Sequence, residues 1–499
     1  MAEEITGTPD WTYGLEPAAP LRFMKDILEI PHCSHNEKAL AEYISDFAKE
    51  RGLTTLTDST GNVLVKKPSQ SDCESAPPLA LQAHLDMVCE KTEDSAHDFA
   101  TDAIQAISED NYLTAKDTTL GADDAVGVSA ILAILDDPHL PHPPLECLFT
   151  VREEIDMGGA YAVEPEWITA KRLINLDAEE EGVLIASSAG GASVTIEREF
   201  TCEPIAGDVY KITIGGLTGG HSGVDINKNR ANANKLIGRI LHLLRGVGYG
   251  LVSINGGAAE NAIPRSSSAL VSVAPDQTGD FQNTISYIKD ILIAETEGAE
   301  PDLDIIVEPA SGECQMDDAS FAAVDVLLNL IPNGVYLFNP NQDMVIASEN
   351  LGVVETTEHS VRMNILMRSS LSGTMEAMKG NLLTLGALAD AAVSISGEFP
   401  GWAFTQDSQL RTTSETVYMQ MFGEALAVEG IHAGLESGAF ANKWPGIDII
   451  SIGPTITGAH SPDERLDLAS YEKFYYFLEG LVARLCAAMH KDDGSVLVS

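Results

Sequence analysis

The stretch Leu79-Ala-Leu-Gln-Ala-His84-Leu-Asp86 is an apolar run that delivers a histidine and an aspartate to its carboxyl end. Such a run predicts a buried strand of an α/β sheet, and the ligands of open α/β sheets collect at the carboxyl ends of the strands. Side chains alternate between the two faces of a strand, so His84 and Asp86 point to the same side. His84 could therefore bind a metal ion while Asp86 accepts a hydrogen bond from its other ring nitrogen.

Two further predicted strands end in acidic residues in the same way. Leu145 to Arg152 leads into Glu153 and Glu154, and Leu173 to Leu176 leads into Asp177. Carboxylates that meet at one sheet edge repel one another strongly unless cations neutralise them. A site for two metal ions would supply those cations.

Two loops offer further candidate ligands. Asp123 and Asp124 lie in a loop that opens a predicted buried helix from Ala125 to Leu135, where one acid could cap the helix. Alternatively, Asp123 is a carboxylate that bridges two cations. His460 lies in a glycine-rich loop after another predicted strand, and becomes a ligand candidate if that strand joins the same sheet.

The order of predicted elements indicates one domain inserted into another. Residues 1–203 alternate helices and strands, which predicts an α/β domain with a mixed, largely parallel sheet flanked by helices, and this pattern returns in residues 399–499. Residues 204–398 instead suggest the order β-α-β-β-α-β of a small α+β domain of the ferredoxin-like kind. The last helix is predicted from Tyr471 to Met489.

Composition excludes several classes of partner. The 499 residues include 30 basic and 75 acidic ones, a net charge of -45, so the surface repels nucleic acid and anionic lipid. Met1 to Pro20 lacks the features of a secretory signal, and apolar runs such as Val126 to Leu135 are too short to cross a membrane. Seven scattered cysteines fit a reducing compartment best. We therefore expect a cytoplasmic protein.

Taken together, these motifs resemble the aminoacyl-histidine dipeptidases, also called cytosol non-specific or Xaa-His dipeptidases (carnosinase-type), among the clan MH co-catalytic zinc metallopeptidases. The resemblance covers nearly the whole chain. The motifs that carry it are His84-x-Asp86, Gly-Ala-Asp123-Asp124, Glu153-Glu154, Asp177, Gly-Ala-His460, Gly-Gly-His221-Ser-Gly, Asn261-Ala-Ile-Pro and Ile431-His-Ala-Gly-Leu-Glu436.

The resemblance implies a zinc-peptidase-like catalytic domain with two divalent metal ions. One ion would be held by His84 and Asp177, the other by Glu154 and His460, and Asp123 would bridge both. Imidazole and carboxylate ligands without thiolates suit zinc, and also manganese or cobalt.

The resemblance also implies roles around the metals. Glu153 would be the general base, which takes a proton from the attacking water and passes it to the leaving amine. Asp86 would orient His84. The peptide bond between Asp123 and Asp124 would be cis.

In such enzymes the inserted domain acts as a lid and a dimerisation unit, so a homodimer is expected. His221 could present its imidazole to the developing oxyanion, in its own subunit or in the neighbouring one. Asn261 and Arg368 are candidates for binding the carboxylate of the substrate, because an arginine suits that bidentate contact. Glu436 favours a substrate with a free ammonium group.

The predicted activity is therefore hydrolysis of small peptides, namely dipeptides that include Xaa-His, by a metal-activated water. An N-acyl amino acid deacylase would use the same metals on a different acyl group, and Glu436 argues weakly against it. A catalytically silent binding protein is the other alternative. The chain keeps Glu153 and every ligand position, which argues against that alternative.

Overall fold

The computed structural model describes residues 11–486, and these form two compact units. Unit 1 contains residues 11–187, 404–429 and 439–486, and unit 2 contains residues 188–403 and 430–438. The sequence pattern predicts an inserted domain at residues 204–398. Unit 2 begins earlier because the strand at 190–199 pairs with strands of unit 2, and it takes in a short later segment as well.

The first part of unit 1 contains five helices and eight strands within the described residues. In chain order they are α1 (Ala18–Leu28), α2 (Lys38–Glu50), β1 (Thr54–Thr57), β2 (Val63–Lys67), β3 (Leu79–His84), β4 (Ala106–Glu109), β5 (Tyr112–Ala115), α3 (Ala122–Asp136), β6 (Leu145–Thr150), α4 (Glu153–Asp156), α5 (Gly158–Ala162), β7 (Arg172–Asn175) and β8 (Val183–Ser188). A 3₁₀ turn covers Pro165–Trp167.

The chain then passes through the elements of unit 2. They are β9 (Gly190–Glu199), β10 (Cys202–Glu203), β11 (Asp208–Gly215), β12 (Gly220–His221), α6 (Ala233–Leu244), β13 (Tyr249–Gly256), β14 (Ala262–Ile263), β15 (Ser267–Val273), α7 (Thr278–Thr296), β16 (Asp304–Ala310), β17 (Gln315–Met316), α8 (Asp318–Leu330), β18 (Gly334–Asn339), β19 (Met344–Thr356), β20 (Ser360–Ser369), α9 (Ser372–Leu388) and β21 (Ala392–Phe399).

The remaining elements, most of them in unit 1, complete the chain. They are α10 (Gln409–Phe422), β22 (Ala427–Ile431), α11 (Glu436–Lys443), β23 (Asp448–Ser451), β24 (Ile456–Thr457), β25 (Arg465–Asp467) and α12 (Leu468–Cys486). Residues 487–489 of the predicted last helix, and residues 1–10 of the segment searched for a secretory signal, lie outside the described residues.

The main sheet of unit 1 has the strand order β1-β2-β6-β3-β7-β23-β8-β22. Its centre is parallel, because β3 pairs in parallel with β6 and β7, and β7 pairs in parallel with β23. Towards the edges, β2 and β8 pair antiparallel, so the sheet is mixed as predicted. Strands β3 and β6 are buried along their whole length, which explains why apolar residues predominate in them.

This topology explains why the candidate ligands converge. The carboxyl ends of the four parallel strands meet at one edge of the sheet, and His84 is the last residue of β3. Glu153 follows the end of β6 by three residues, and Asp177 follows the end of β7 by two. The loop after β23 carries His460, so the predicted strand before that histidine does join the sheet.

Unit 2 is built on a nine-stranded sheet. The order is β16-β11-β15-β13-β19-β20-β9-β21, and β18 forms a hairpin with β19. Its first four strands, with α6 and α7, have the predicted order β-α-β-β-α-β and are antiparallel throughout. An apolar core of its own lies between this sheet and helices α6 to α9.

Most of the cysteines are paired. Six of the seven cysteines form disulfides, Cys33–Cys89 and Cys73–Cys486 in unit 1 and Cys202–Cys314 in unit 2, while Cys147 is free and buried. The partners are 56, 413 and 112 residues apart, so spacing in the sequence gave no sign of the pairing. Disulfides are rare in reducing compartments. The cytoplasmic location stays a prediction.

None of the helices within residues 11–486 combines the length and the apolar character needed to cross a membrane.

Candidate active site

His84 lies between two carboxylates and a backbone carbonyl. Its Nε2 is 2.9 Å from Asp123 Oδ1 and 3.3 Å from Asp177 Oδ1. Its Nδ1 is 3.0 Å from the carbonyl oxygen of Asp86, which can only accept a hydrogen bond. In the neutral ring Nδ1 therefore carries the proton, and the lone pair of Nε2 faces the carboxylates. This is the orientation that a metal ligand requires.

His460 contacts the other side of the same aspartate. Its Nε2 is 3.2 Å from Asp123 Oδ2 and 3.0 Å from Glu154 Oε2. The two oxygens of Asp123 are thus divided between the two imidazoles. Such a division suits a carboxylate that bridges two cations.

Three groups of side chains come close enough to hold a metal ion within the described residues. They are His84, Asp123 and Asp177; Asp123, Glu154 and His460; and His84, Glu153 and Glu154, and the candidate ligand atoms of each group lie within 4.8 Å of one another. Asp123 belongs to the first two groups. The structure therefore brings together all five predicted metal ligands and the predicted general base.

The charges of this cluster are unbalanced. Burial lowers the pKa of His84, but the charge of Asp177 and the contact with Asp123 outweigh burial and hold the pKa well above its usual range. Contacts with Asp123 and Glu154 raise the pKa of His460 to about 11, and burial raises the pKa of Asp177 to about 6. The carboxylates of this cluster outnumber its imidazoles, and divalent cations would balance that excess of negative charge.

The donor set fits such ions. Glu154 Oε1 is buried and has no hydrogen-bond partner among the described residues, although its other oxygen contacts His460. Imidazole and carboxylate ligands suit zinc, manganese or cobalt.

Asp86 has a different contact from the one predicted. Its carboxylate is 3.7 Å from His84 Nδ1, too far for a hydrogen bond, and the ring N–H reaches the Asp86 carbonyl instead. The carboxylate accepts the backbone N–H groups of Glu153 and Glu154, at 2.9 and 3.2 Å, and the hydroxyl of Ser34 at 2.7 Å. Asp86 thus fixes the start of helix α4, which carries the predicted base.

The two aspartates at the start of α3 have different contacts, which distinguishes the residue that caps the helix from the residue that faces the imidazoles. Asp124 is buried, and its carboxylate accepts the N–H of Gly127 at 3.0 Å and the N–H of His84 at 3.1 Å. It therefore caps the helix, while Asp123 faces the imidazoles. The peptide bond between them is cis, as the resemblance implied.

The structure places the remaining candidates in unit 2. His221 ends β12, and its Nδ1 accepts the backbone N–H groups of Gly223 and Val224 at 3.2 and 3.3 Å. Nε2 must therefore carry the proton and is a hydrogen-bond donor. Burial, helped by the charge of Arg368, lowers the pKa of His221, so the ring is neutral at neutral pH.

Arg368 and Glu436 are buried, whereas Asn261 is exposed. Burial lowers the pKa of Arg368, and its Nε has no hydrogen-bond partner among the described residues. Glu436 is the first residue of α11. Asn261 accepts the Ser222 N–H with its backbone carbonyl at 2.8 Å, next to His221.

One further residue beside these candidates, His432, was not predicted from the sequence. His432 is buried in unit 2, and its Nε2 lies 2.7 Å from Ser348 Oγ. It falls in the motif that ends at Glu436, which was the signal available in the sequence.

Comparisons with known proteins show the family of the chain. Residues 80–484 match Peptidase family M20/M25/M40. The chain is 38% identical over 472 residues to the cytosol non-specific dipeptidase of Escherichia coli (strain K12). The aligned region covers 92% of this chain and 96% of that protein. The crystal structure of aminoacylhistidine dipeptidase from Vibrio alginolyticus has a TM-score of 0.91 and 36% identity, and covers 95% of this chain and 98% of that one.

An aminopeptidase from Bacillus cereus ATCC 10987 has a TM-score of 0.56 at 14% identity over 94% of this chain and 99% of its own, a likeness in fold alone. With a family match over most of its length and a relative of this identity, the chain belongs to Peptidase family M20/M25/M40.

Proposed function

We propose that the chain is a metallodipeptidase, which hydrolyses dipeptides, Xaa-His among them. The observation that carries the proposal is the division of the Asp123 carboxylate between His84 and His460. The names of the Escherichia coli and Vibrio alginolyticus relatives, a non-specific dipeptidase and an aminoacylhistidine dipeptidase, support the substrate class.

His84 and Asp177 would hold one divalent ion, Glu154 and His460 the other, with Asp123 shared. The ions would polarise the scissile carbonyl and make a water molecule acidic enough to attack at neutral pH. Zinc is the first choice for these ligands, with manganese or cobalt as alternatives.

Glu153 would move the proton. Its backbone is held by Asp86, and its carboxylate belongs to a group with His84 and Glu154. A carboxylate there can accept the proton of the attacking water and then deliver it to the leaving amine. The hydrogen bond from the Glu153 N–H to Asp86 fixes the backbone position of Glu153. A fixed backbone favours a single position of the Glu153 carboxylate for both proton transfers.

Unit 2 would bind the ends of the substrate and act as a lid. His221, with its proton on Nε2, would donate to the oxyanion that develops on the carbonyl oxygen. Arg368 and Asn261 would bind the terminal carboxylate, and Glu436 the free ammonium group. Binding both the terminal carboxylate and the free ammonium group would select peptides of one short length.

A homodimer is supported by β18. Val335, Tyr336, Leu337 and Phe338 are consecutive on this strand and are 40–44% exposed. An apolar strand of this kind at a sheet edge is suited to pairing with a second copy of the chain. Light scattering should give the mass of two chains for the wild type and a smaller mass for Leu337→Lys. Leu388→Lys, at an exposed position on α9, is the control.

A cytosolic location is supported by the name of the Escherichia coli relative. The three disulfides argue in the other direction, because a reducing compartment opposes them. Thiol labelling of protein recovered from fractionated cells decides the matter. Seven reactive thiols per denatured, unreduced chain in a cytosolic fraction would support a reducing location. One reactive thiol, that of Cys147, would show that the three disulfides form in the cell.

A substrate screen tests the activity. Dipeptides, tripeptides and N-acyl amino acids are offered to the enzyme with zinc, manganese or cobalt, and we expect rapid cleavage of dipeptides only. A preference for N-acyl amino acids would make the chain a deacylase. An absence of hydrolysis with every metal, in protein that binds metal, would indicate a silent binding protein.

A further inference from the structure

One buried carboxylate outside the predicted site takes four successive backbone N–H groups. Glu464 is 2% exposed. Its Oε2 accepts from Leu120 and Gly121 at 2.7 and 2.9 Å, and its Oε1 accepts from Ala122 and Asp123 at 2.7 and 3.4 Å. This carboxylate therefore binds the whole segment that leads to the shared aspartate.

We propose that Glu464 is a positioning residue, whose carboxylate holds the 120–123 segment so that Asp123 is directed between His84 and His460. The inference rests on the proposed function, because it gives Asp123 the bridging position. It assigns to Glu464 no contact with the substrate.

The start of α3 has unusual requirements that Glu464 meets. The first N–H groups of a helix need acceptors, which an aspartate at the helix start usually supplies. Here the carboxylate of Asp123 faces the imidazoles and that of Asp124 serves Gly127 and His84. Glu464 supplies the acceptor for residues 120–123 from elsewhere in the chain, so the carboxylate of Asp123 can face the imidazoles.

The segment has little freedom to find another arrangement. Gly121 has a φ of +74°, and a Cβ atom at this position would lie 2.7 Å from the sulfur of Met87. The loop that brings Glu464 is also tied down, because the Glu464 N–H donates to the Ser461 carbonyl at 3.1 Å. Ser461 Oγ in turn donates to the Gly458 carbonyl at 2.8 Å.

Glu464 also couples two ligands of the site. It lies four residues after His460 in the same loop, and its bonds reach the loop of Asp123. A change at Glu464 should therefore disturb the distance between Asp123 and His460. It should leave the substrate-binding residues of unit 2 unaffected.

Glu464→Gln is the informative variant. Glutamine has the same shape, but an NH₂ group replaces one of the two carboxylate oxygens. That NH₂ group cannot accept the two backbone N–H groups that it faces. We expect kcat to fall by roughly 10- to 100-fold and zinc to be released faster to a chelator by a similar factor, which is the usual size of effect when a group that orients a metal ligand is lost. KM for a dipeptide should be unchanged. The absorption spectrum of the cobalt-substituted protein should shift, because the geometry at Asp123 changes.

Glu146→Gln is the matched control. Glu146 is also a buried carboxylate of unit 1, and it accepts the backbone N–H groups of Thr169 and Ala170 at 2.7 and 2.9 Å. It lies near the start of β6, whereas the metal ligands follow its end. We expect this variant to lose thermal stability while its kcat, zinc release and cobalt spectrum stay at the wild-type values.

Glu464→Asp keeps the charge on a shorter side chain and should recover part of the loss. If Glu464→Gln does not fold, Glu464→Asp alone still tests the proposal, since wild-type zinc release in that variant would overturn it. A Glu464→Gln protein that loses only stability, as Glu146→Gln should, would overturn it as well. Zinc release needs no turnover, so failure of the enzyme to cleave any dipeptide would count against the proposed function and not against this role.

Discussion

Two clusters of polar side chains differ in how many of their buried atoms have hydrogen-bond partners. The metal-ligand cluster of unit 1 consists of His84, Asp123, Glu154, Asp177 and His460, and the polar cluster of unit 2 consists of His221, Ser222, Arg368 and His432. In unit 1, each imidazole contacts two carboxylates, and Asp86 takes backbone N–H groups from the segment of the base. In unit 2, Arg368 Nε and Ser222 Oγ are buried without a hydrogen-bond partner within residues 11–486.

An unsatisfied buried polar atom costs about 1 to 3 kcal/mol, so a fold retains such atoms where something else offsets them. The unit 1 cluster has one such atom, Glu154 Oε1, beside the proposed metals. The contrast suggests that unit 1 is arranged around cations and that unit 2 holds hydrogen-bonding capacity for a substrate. Changes in unit 1 should then act on metal content and turnover, and changes in unit 2 on substrate recognition.

The largest effect is expected from removal of a metal ligand. Asp177→Ala or His460→Ala should lower the metal content and abolish hydrolysis, because each removes an anchor of one proposed ion. Elemental analysis after gel filtration measures the metal content. His221→Ala, in unit 2, is the matched change and should keep the metal content of the wild type. Unchanged metal content in the unit 1 variants would remove Asp177 and His460 from the ligand set.

The next effect separates chemistry from metal binding. Glu153→Gln should retain its metal ions while kcat falls by roughly 10²- to 10⁴-fold, the usual contribution of general acid–base catalysis. Glu166→Gln, an exposed position in the 3₁₀ turn, serves as the control and should have the wild-type kcat. Near-normal turnover in Glu153→Gln would transfer the role of base to another group.

A smaller effect is expected in unit 2. Arg368→Ala should reduce kcat/KM for a free-acid dipeptide by about 10- to 100-fold, since a hydrogen bond to a charged group contributes roughly 1.5 to 3 kcal/mol. The loss should be much smaller for the amidated dipeptide, which lacks the charged partner. Metal content should not change.

Arg362→Ala is the control for this double comparison. Arg362 lies on the same strand β20 but is half-exposed and paired with Glu197 at 3.0 Å. Equal losses for both substrates in Arg368→Ala would return Arg368 to a structural role. The same result would weaken the contrast between the two units.

Local sequence was sufficient for the parts of the fold that depend on short apolar runs. Strands β3, β6, β7 and β23 were recognisable from composition, and the ends of parallel strands then predicted where His84, Glu153 and Asp177 would lie. The β-α-β-β-α-β order of unit 2 was recognisable for the same reason, since helix and strand periods alternate along its sequence.

Strand pairing and hydrogen bonds between distant parts of the chain could not be predicted from the sequence. Strand β9 follows β8 directly and was assigned to the first domain, yet it pairs with β20, whose residues lie more than a hundred positions later. The bonds from Glu464 span 341 to 344 residues, so its loop gave no hint of them. The carboxylate of Asp86 was misassigned because strand alternation fixes the side of a side chain, but not whether the carbonyl or the carboxylate reaches the ring.

The smallest effect concerns the pH dependence of stability in unit 2. Burial, reinforced by the positive charge of Arg368 and the neighbouring His221, lowers the pKa of His432 to about 4. In the unfolded chain a histidine takes up its proton near pH 6.5. Between these two values the unfolded state binds more protons than the folded state, so the stability that neutral His432 contributes is present above pH 6.5 and is lost as the pH falls towards 4.

His432→Gln should therefore flatten the decline of the melting temperature between pH 7 and pH 5. The measurement is calorimetry of wild type and variant at matched zinc concentrations, so that any acid release of metal in unit 1 is common to both. His359→Gln, at an exposed position of unit 2, should keep the wild-type slope. His32 and His142 in unit 1 also have lowered pKa values through burial, so part of the decline should persist in His432→Gln. Parallel curves for His432→Gln and wild type would mean that the imidazole of His432 gains its proton as easily in the folded chain as in water. The polar cluster of unit 2 would then be solvated, and the contrast with unit 1 would lose its physical basis.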